Sequence, residues 1–333
     1  MLWKGARIFV KFEIILILLL VGGLLVCLNA CGTQGYERDL HEVAEDFHSL
    51  SIDTNTGDIS ILPAEDGVCR VAADLHKHET LLMDIEDGVL QIGVQDERRW
   101  YERSFAVHRS AISVYLPKTE YAALSISEHT GDVKIAEGLQ FDSADISVTT
   151  GDVVLSASVG GLLNINGSTG NVEIRNVSLG GFYSVSSTGD ILLENVISTA
   201  DVSIERSTGL VSLESVRCEG NLSVQVTTGR CEFADVTCRE LDTIGSTGRL
   251  EMRNTIAWER MSVERTSGRV NFDCCDAAEI YVTTGTGDVK GNLKTDKVFI
   301  VRTDTGKIDV PKTIVGGRCE ITTTTGDIKI SVS

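Results

Sequence analysis

The chain has 333 residues, a formal net charge of −18 from 48 acidic and 30 basic side chains, 32 glycines, three prolines and 5% aromatic residues. So acidic a surface excludes nucleic acid, whose phosphates need a basic stripe, and a flat seat on anionic lipid. Negative charge of this kind otherwise serves solubility.

Residues 1–13 carry Lys4, Arg7 and Lys11, and residues 14–28 read IILILLLVGGLLVCL. A basic lead before an apolar core predicts an export signal or a membrane helix with its N-terminus inside. The core is shorter than the roughly 20 residues of a comfortable span. Leu28-Asn29-Ala30-Cys31 resembles a bacterial lipobox, in which the cysteine is lipidated and becomes the new N-terminus, although Asn29 departs from that pattern. Residues 1–31 are therefore a membrane anchor or a lipoprotein-type signal with Cys31 as the lipidation candidate; a freely secreted product is the third alternative. The first two place Gly32 to Ser333 outside the cytoplasm, held at the cell membrane.

Residues 32–46 read as a polar linker. Over 47–124, the segments LSIDTNTGDISILP, VCRVAADL, VLQIGVQ and AISVYLP alternate like strands but keep no fixed beat. They predict an irregular β cap, the atypical terminal unit that a repeat array requires. Within it, Arg98, Arg99, Trp100 and Tyr101 concentrate positive charge and rings in an acidic, aromatic-poor chain; they form either a contact loop for an anionic partner or a hairpin packed on the cap. His76 and His78 share a strand face, where surface histidines are far commoner than a metal pair.

From 125 to 333 the chain repeats. Thr-Gly, once Ser-Gly, returns at Gly131, Gly151, Gly170, Gly189, Gly209, Gly229, Gly248, Gly268, Gly287, Gly306 and Gly326, at intervals of 19 or 20 residues. A twelfth copy, Thr56-Gly57-Asp58, stands apart. Two and four positions after each glycine lie apolar residues, as in Val172 and Ile174; only Gly291 breaks that run. Five positions before the glycine a second run peaks, as at Ile146 or Val263, with Ser184 and Thr243 as exceptions. Period two in β-branched residues means strands with one buried face. Two short strands per repeat predict an all-β, right-handed parallel β-solenoid of about eleven coils, the hand following the general preference of parallel crossovers. Coils about 4.8 Å apart give a rod of roughly 50 Å.

Thr-Gly is then corner chemistry. Glycine tolerates φ > 0, and a hydroxyl bonds nearby backbone. A second corner is expected about six residues on, where Asn176, Asn195, Ser215, Asp235 and Asn254 recur. The chain's end, CEITTTTGDIKISVS, is expected to leave an open strand edge through which the rod could self-associate.

Little in the sequence supports a reaction. The residue after each glycine forms an outward ladder that is acidic at Asp132, Asp152 and Asp190 and basic at Arg230, Arg249 and Arg269. The acidic part would suit calcium, but the nonapeptide of calcium-binding β-rolls is absent. Glu232 and Glu251 share a face with Arg230 and Arg249, which points to mutual neutralisation. No nucleophile elbow, zinc motif or phosphate loop occurs, and no cofactor is expected. Beyond Cys27 and Cys31 there are seven cysteines, Cys69, Cys218, Cys231, Cys238, Cys274, Cys275 and Cys319. An odd number leaves at least one unpaired or paired between chains. Cys218 and Cys238 fall at equivalent positions of adjacent coils, where a bridge is open to them, and Cys231 reads as a core residue.

The strand-TGD-strand beat, the LSIDTNTGDISILP opening and the single N-terminal anchor resemble the DUF4097 family of bacterial adhesin-like β-strand repeat proteins, over residues 47–333. The resemblance implies a β-repeat ectodomain at the cell envelope with adhesion as its proposed role and no catalytic residues. Leu210, Arg230, Arg249 and Arg269 depart from the TGD pattern. Two expectations follow. One is a cell-surface adhesin-like rod whose outward hydroxyl ladders meet a surface polymer. The other is a membrane-tethered envelope-stress regulator or scaffold that acts through a membrane protein.

Overall fold

In a computed structural model, residues 36–97 and 110–332 are described; they form twenty-five β-strands and no helix. Most stack parallel and in register, giving a β-solenoid of about 10 turns. The alternation explains the burial. Val172 and Ile174 are buried while Glu173 between them is not, and Val153, Val172, Ile191 and Val211 stack as one ladder inside the rod. Each fully buried side chain of this size contributes about 1.5–3 kcal/mol, but only once the neighbouring coils are in place. The array is therefore the folding unit.

Each coil holds three inward runs, where sequence periodicity shows two. The backbone bends at Asn176, Asn195, Ser215, Asp235, Asn254 and Cys274, all at φ between 46° and 56°. Five of these are the expected second corner; Cys274 joins them without a turn residue's side chain. After this bend comes the third run: Val177 and Leu179, Val196 and Ser198, Val216 and Cys218, Val236 and Cys238, all buried. Serine and cysteine at its second position hide the run from an apolar-periodicity reading.

The glycine corner carries a steric demand beyond its φ of 130–159°. A Cβ on Gly151 would overlap the carbonyl oxygen of Gly131, one on Gly170 that of Gly151, and so on along the rod. The stack of corners brings backbone onto backbone, so alanine fails there for want of space as well as for its dihedral preference.

The two ends depart from sequence order. At the C-terminal end, Gly317–Thr325 pairs with Val270–Thr286 on one side and with Lys297–Thr305 on the other. Ile328–Val332 likewise lies between Val289–Leu293 and Ile308–Asp309. The last segment of the chain is thus inserted one layer inside, and the preceding coil is outermost. This corrects the expectation that the terminal isoleucines form the open edge: Ile328 and Ile330 are 0% and 4% exposed, because Ile308 and its neighbours cover them.

The N-terminal end does the same. Ser49–Thr56 sits between Val89–Asp96 and Glu120–Thr130, and Asp58–Pro63 between Ala111–Leu116 and Val133–Ile135. The isolated Thr56-Gly57-Asp58 is therefore a regular coil of the rod, inside the stretch expected to be an irregular cap. Beyond the outermost coil the strands turn antiparallel. Glu79–Glu86 pairs with Val89–Asp96, Cys69–His76 with Ala111–Leu116, and Tyr36–Val43 with Cys69–His76. Tyr36–Val43, inside the stretch expected to be linker, is thus an edge strand. Phe47 stacks on Tyr121 at 5.9 Å and Tyr121 tilts against Phe141 at 5.8 Å, tying the first residues of the rod to its regular part.

Candidate functional site

The outward face of the glycine corner is built by one repeated exchange. The Asp58 carboxylate accepts the backbone N–H of Asp132 at 3.0 Å, Asp132 accepts that of Asp152 at 2.9 Å, and Asp152 that of Asn171 at 2.7 Å. The side-chain oxygen of Asn171 takes Asp190 N–H at 2.9 Å, and Asp190 takes that of Leu210 at 2.7 Å. At the far end Asp288 serves Asp327 at 3.0 Å, and Asp327 serves Lys307 at 2.9 Å. The Asp of TGD replaces the ladder bond that the bend removes, since a backbone N–H left unpaired is costly. Where Leu210 and Arg230 stand instead, the strand runs through the corner and pairs directly from Gly209 to Gly229. One oxygen of each acid is thereby committed to backbone, and among the described residues no group of three or more His, Cys, Asp or Glu could hold a metal ion.

Beside this corner runs a hydroxyl ridge. The residues before the glycines pair in register as Thr56, Thr130, Thr150, Thr169, Thr188, Thr208, Thr228, Thr247, Ser267, Thr286, Thr325 and Thr305. From Thr169 to Thr247 they are exposed, and so are Ser168, Ser187, Ser207, Thr227 and Ser246 next to them. Donor and acceptor hydroxyls thus repeat about every 4.8 Å along the rod.

Past the corner the face turns charged. Arg230 bonds Glu232 at 2.9 Å and Arg249 lies 3.2 Å from Glu251, the expected mutual neutralisation. A concavity of about 360 Å³ lies between Glu214, Glu232, Glu251, Arg253 and Asp273. Its rim is charged, with Glu232, Glu251 and Arg253 held in ion pairs, unlike the mostly apolar walls of small-molecule sites.

Two residues missed by sequence reasoning lie inside the rod. Arg206 and Arg265, three positions before Gly209 and Gly268, are 2% and 3% exposed. Arg206 Nη1 donates to Ser186 Oγ, and Arg265 Nη2 to Cys231 Sγ at 3.3 Å; Nε and one further nitrogen of each have no partner. Each guanidinium finds room because the facing residue of the preceding coil is small, Ser186 for Arg206 and Gly245 for Arg265. In those same preceding coils stand Ser184 and Thr243, the two exceptions in the apolar column, with buried hydroxyls also unpartnered. A cavity of about 10 Å³ lined by Gly167, Ser184, Ser186 and Arg206 adjoins the first, room for about one water. Burial pushes Arg206 down to about 10, with Asp190 opposing. Aligning the repeats on their glycines would have exposed both pairs, since polar exception and arginine always fall one coil apart.

The thiols are unremarkable chemically. Cys69, Cys218, Cys231, Cys238, Cys275 and Cys319 are buried and Cys274 half-buried, all unpaired. Burial raises the Cys238 and Cys319 thiols to about 12, which keeps them protonated. Cys218 and Cys238 do occupy adjacent coils, with Arg217 beside Thr237, but as free thiols. His76 and His78 rings lie 5.4 Å apart, and His76 Nδ1 accepts the backbone N–H of His78 at 3.3 Å. The anchor, Cys31 and the Arg98, Arg99, Trp100 and Tyr101 loop lie outside the described residues. Among the described residues no helix is long and apolar enough to cross a membrane.

A family model, Toastrack DUF4097, matches residues 47–234 and 198–333. The chain belongs to the DUF4097 family. Among solved structures, this DUF4097 chain is similar to a candidate adhesin from Parabacteroides merdae, at 12% identity over 90% of this chain and 98% of that one, with a TM-score of 0.43. A candidate adhesin from Bacteroides fragilis matches at 13% identity over the same shares, with a TM-score of 0.33. A protein from Parabacteroides distasonis described as a candidate lipid-binding protein matches at 11% identity, again over 90% and 98%, with a TM-score of 0.41. No curated protein matches the DUF4097 chain.

Proposed function

We propose that this DUF4097 protein is a non-enzymatic, adhesin-like binding rod, tethered through residues 1–31 to the outer side of a cell membrane and engaging a surface polymer along its flank. The observation that carries this reading is the in-register ridge of threonines from Thr56 to Thr305. A single line of hydroxyls at a constant spacing fits an extended hydrogen-bonding polymer better than a compact substrate. The chemistry of the remaining surface agrees: the acids of the TGD corners are committed to backbone N–H groups, Glu232 and Glu251 are paired with arginines, and six of the seven described cysteines are buried.

The test is retention of the full chain on insoluble envelope polysaccharide. Replacing Thr188, Thr208 and Thr228 by valine keeps shape and removes three successive hydroxyls. Retention should fall at least about tenfold, from roughly 0.5–1.5 kcal/mol per lost bond, while the thermal unfolding curve stays in place. Equal retention of both proteins, or none of either, rejects the ridge. Cross-linking to one membrane protein in cells, with no polymer retained, would favour the scaffold reading instead.

A further inference from the structure

The layer exchange at the C-terminal end leaves an unfinished surface. Among the described residues, Lys297–Thr305 pairs on one side only, with Gly317–Thr325, and Ile308–Asp309 pairs only with Ile328–Val332. Their inward residues, buried in every other coil, are uncovered here: Phe299 and Val301 are half-buried and Ile308 is 47% exposed. Ile300, Ile314 and Val315 add 48%, 92% and 61% exposure around them. An apolar rim with free N–H and C=O groups is a template for strand addition. The opposite end is finished differently, by the antiparallel strands Tyr36–Val43 and Glu79–Glu86, so its edges do not continue the parallel stack.

We propose that two copies of this chain join tail to tail through this terminal coil, related by a two-fold axis that crosses the first edge strand at Thr303. Charge selects this partner. On the first strand Arg302 and Asp304 point the same way, 3.1 Å apart. An antiparallel copy centred on Thr303 sets Arg302 against the partner copy's acid and Asp304 against its guanidinium. On the second strand Lys307 and Asp309 flank Ile308 with the same alternation of sign. Thr303 and Ile308 stand three residues before and two after Gly306. The paired edge satisfies its open backbone groups, and the apolar rim with Ile308 is brought toward the partner copy. A two-fold contact closes after two copies, whereas head-to-tail stacking would run on as a fibre.

Only one consequence rests on the surface-tether reading. With anchors at the far ends, such a pair would bridge two facing membranes. The pairing itself is independent of polymer binding, so failure of the ridge experiment leaves it standing.

The full chain, held in a mild detergent, should sediment as a dimer whose dissociation strengthens with salt. Arg302→Asp and Asp304→Arg each place like charges across the axis and should weaken it about tenfold to a hundredfold. Neither change touches the core, so both variants should unfold with the wild type. Mixed in equal amounts they are complementary, and the heterodimer should form. A wild-type monomer at high concentration overturns the proposal and leaves the edge to a strand of another protein. A dimer indifferent to both changes also overturns it, since association through the apolar N-terminal segment would be blind to these charges.

Discussion

The two ends of the rod use one topological device and finish it in opposite ways. At each, the regular coil nearest the chain terminus lies one layer in, under a coil drawn from further into the chain. At the N-terminal end that outer coil is itself covered by antiparallel strands, and Leu50, Ile52 and Leu90 beneath are at most 1% exposed. At the C-terminal end it is bare among the described residues. The difference shows that insertion secures the chain end, while sealing the apolar interior needs a separate cover.

The largest expected effect breaks this symmetry by deletion. Removing residues 317–333 takes out the filling of a sandwich and should release Lys297–Thr305 as well, so two layers are lost. A drop of more than about 5 kcal/mol with a smaller urea m-value is expected, against little change for deletion of Tyr36–Val43. Hydrogen exchange separates the layers without mutation: amides of Ile328–Val332 should be protected, and those on the free side of Lys297–Thr305 should exchange fast. The reverse order would refute the layer exchange.

Next come the corners. Gly326→Ala drives a Cβ into the Gly287 carbonyl oxygen, whereas at Gly57 the nearest oxygen, that of Ser110, lies 2.9 Å away. Chemical denaturation should show a loss of roughly 3–5 kcal/mol for the first and about 1–2 for the second. Equal losses would mean that φ alone sets the cost.

The middle of the rod offers a gain. Arg206→Met replaces a buried, half-partnered cation by a side chain of similar length and should stabilise by about 1–3 kcal/mol. The sign with pH follows from linkage. Arg206 has its folded-state value lowered to about 10, so the folded protein sheds this proton before the unfolded chain does. Wild-type stability should therefore recover as pH rises above about 10, and the advantage of the variant should shrink. A constant gap in thermal melts between pH 8 and 11 would contradict the burial.

The smallest effect lies at the N-terminal end, where Glu128 occupies the same inward column and accepts a hydrogen bond from Thr54. Burial, opposed by that bond, raises its carboxyl above the ordinary glutamate range. The folded state holds this proton more tightly, so the contribution is fully present in acid and is lost as pH rises through the folded value. Glu128→Gln should match wild type at low pH and exceed it by about 1 kcal/mol at neutral pH; a variant less stable at pH 7 would show that the charged form is the favoured one.

Sequence periodicity makes the local unit legible because every coil meets the same steric demand: Gly170 and its equivalents need a bare backbone, and Asn176 and its equivalents a left-handed bend. It cannot rank the coils in space. Ile321, Ile328 and Ile330 fit any layer, so the insertion of Ile321 under Val301 and of Ile328 under Ile308 is invisible to a pattern that treats all coils alike. The third inward run escapes because Ser198 and Cys218 stand where β-branched residues would mark it. Of the surface, the arginine–glutamate pairing was readable from a two-residue spacing. The use of Asp58, Asp132 and Asp152 on backbone N–H groups was not, because it depends on which coil lies next.

Layer exchange has a mechanical consequence. A plain coil gives way under tension from its last loop, one turn at a time. Here a pull on Ser333 must slide a strand out from between two neighbours, shearing both sets of hydrogen bonds together, and the loop outside it has no free end to grip. A rod loaded at its tip would hold its length until that double shear fails, then yield in a single step.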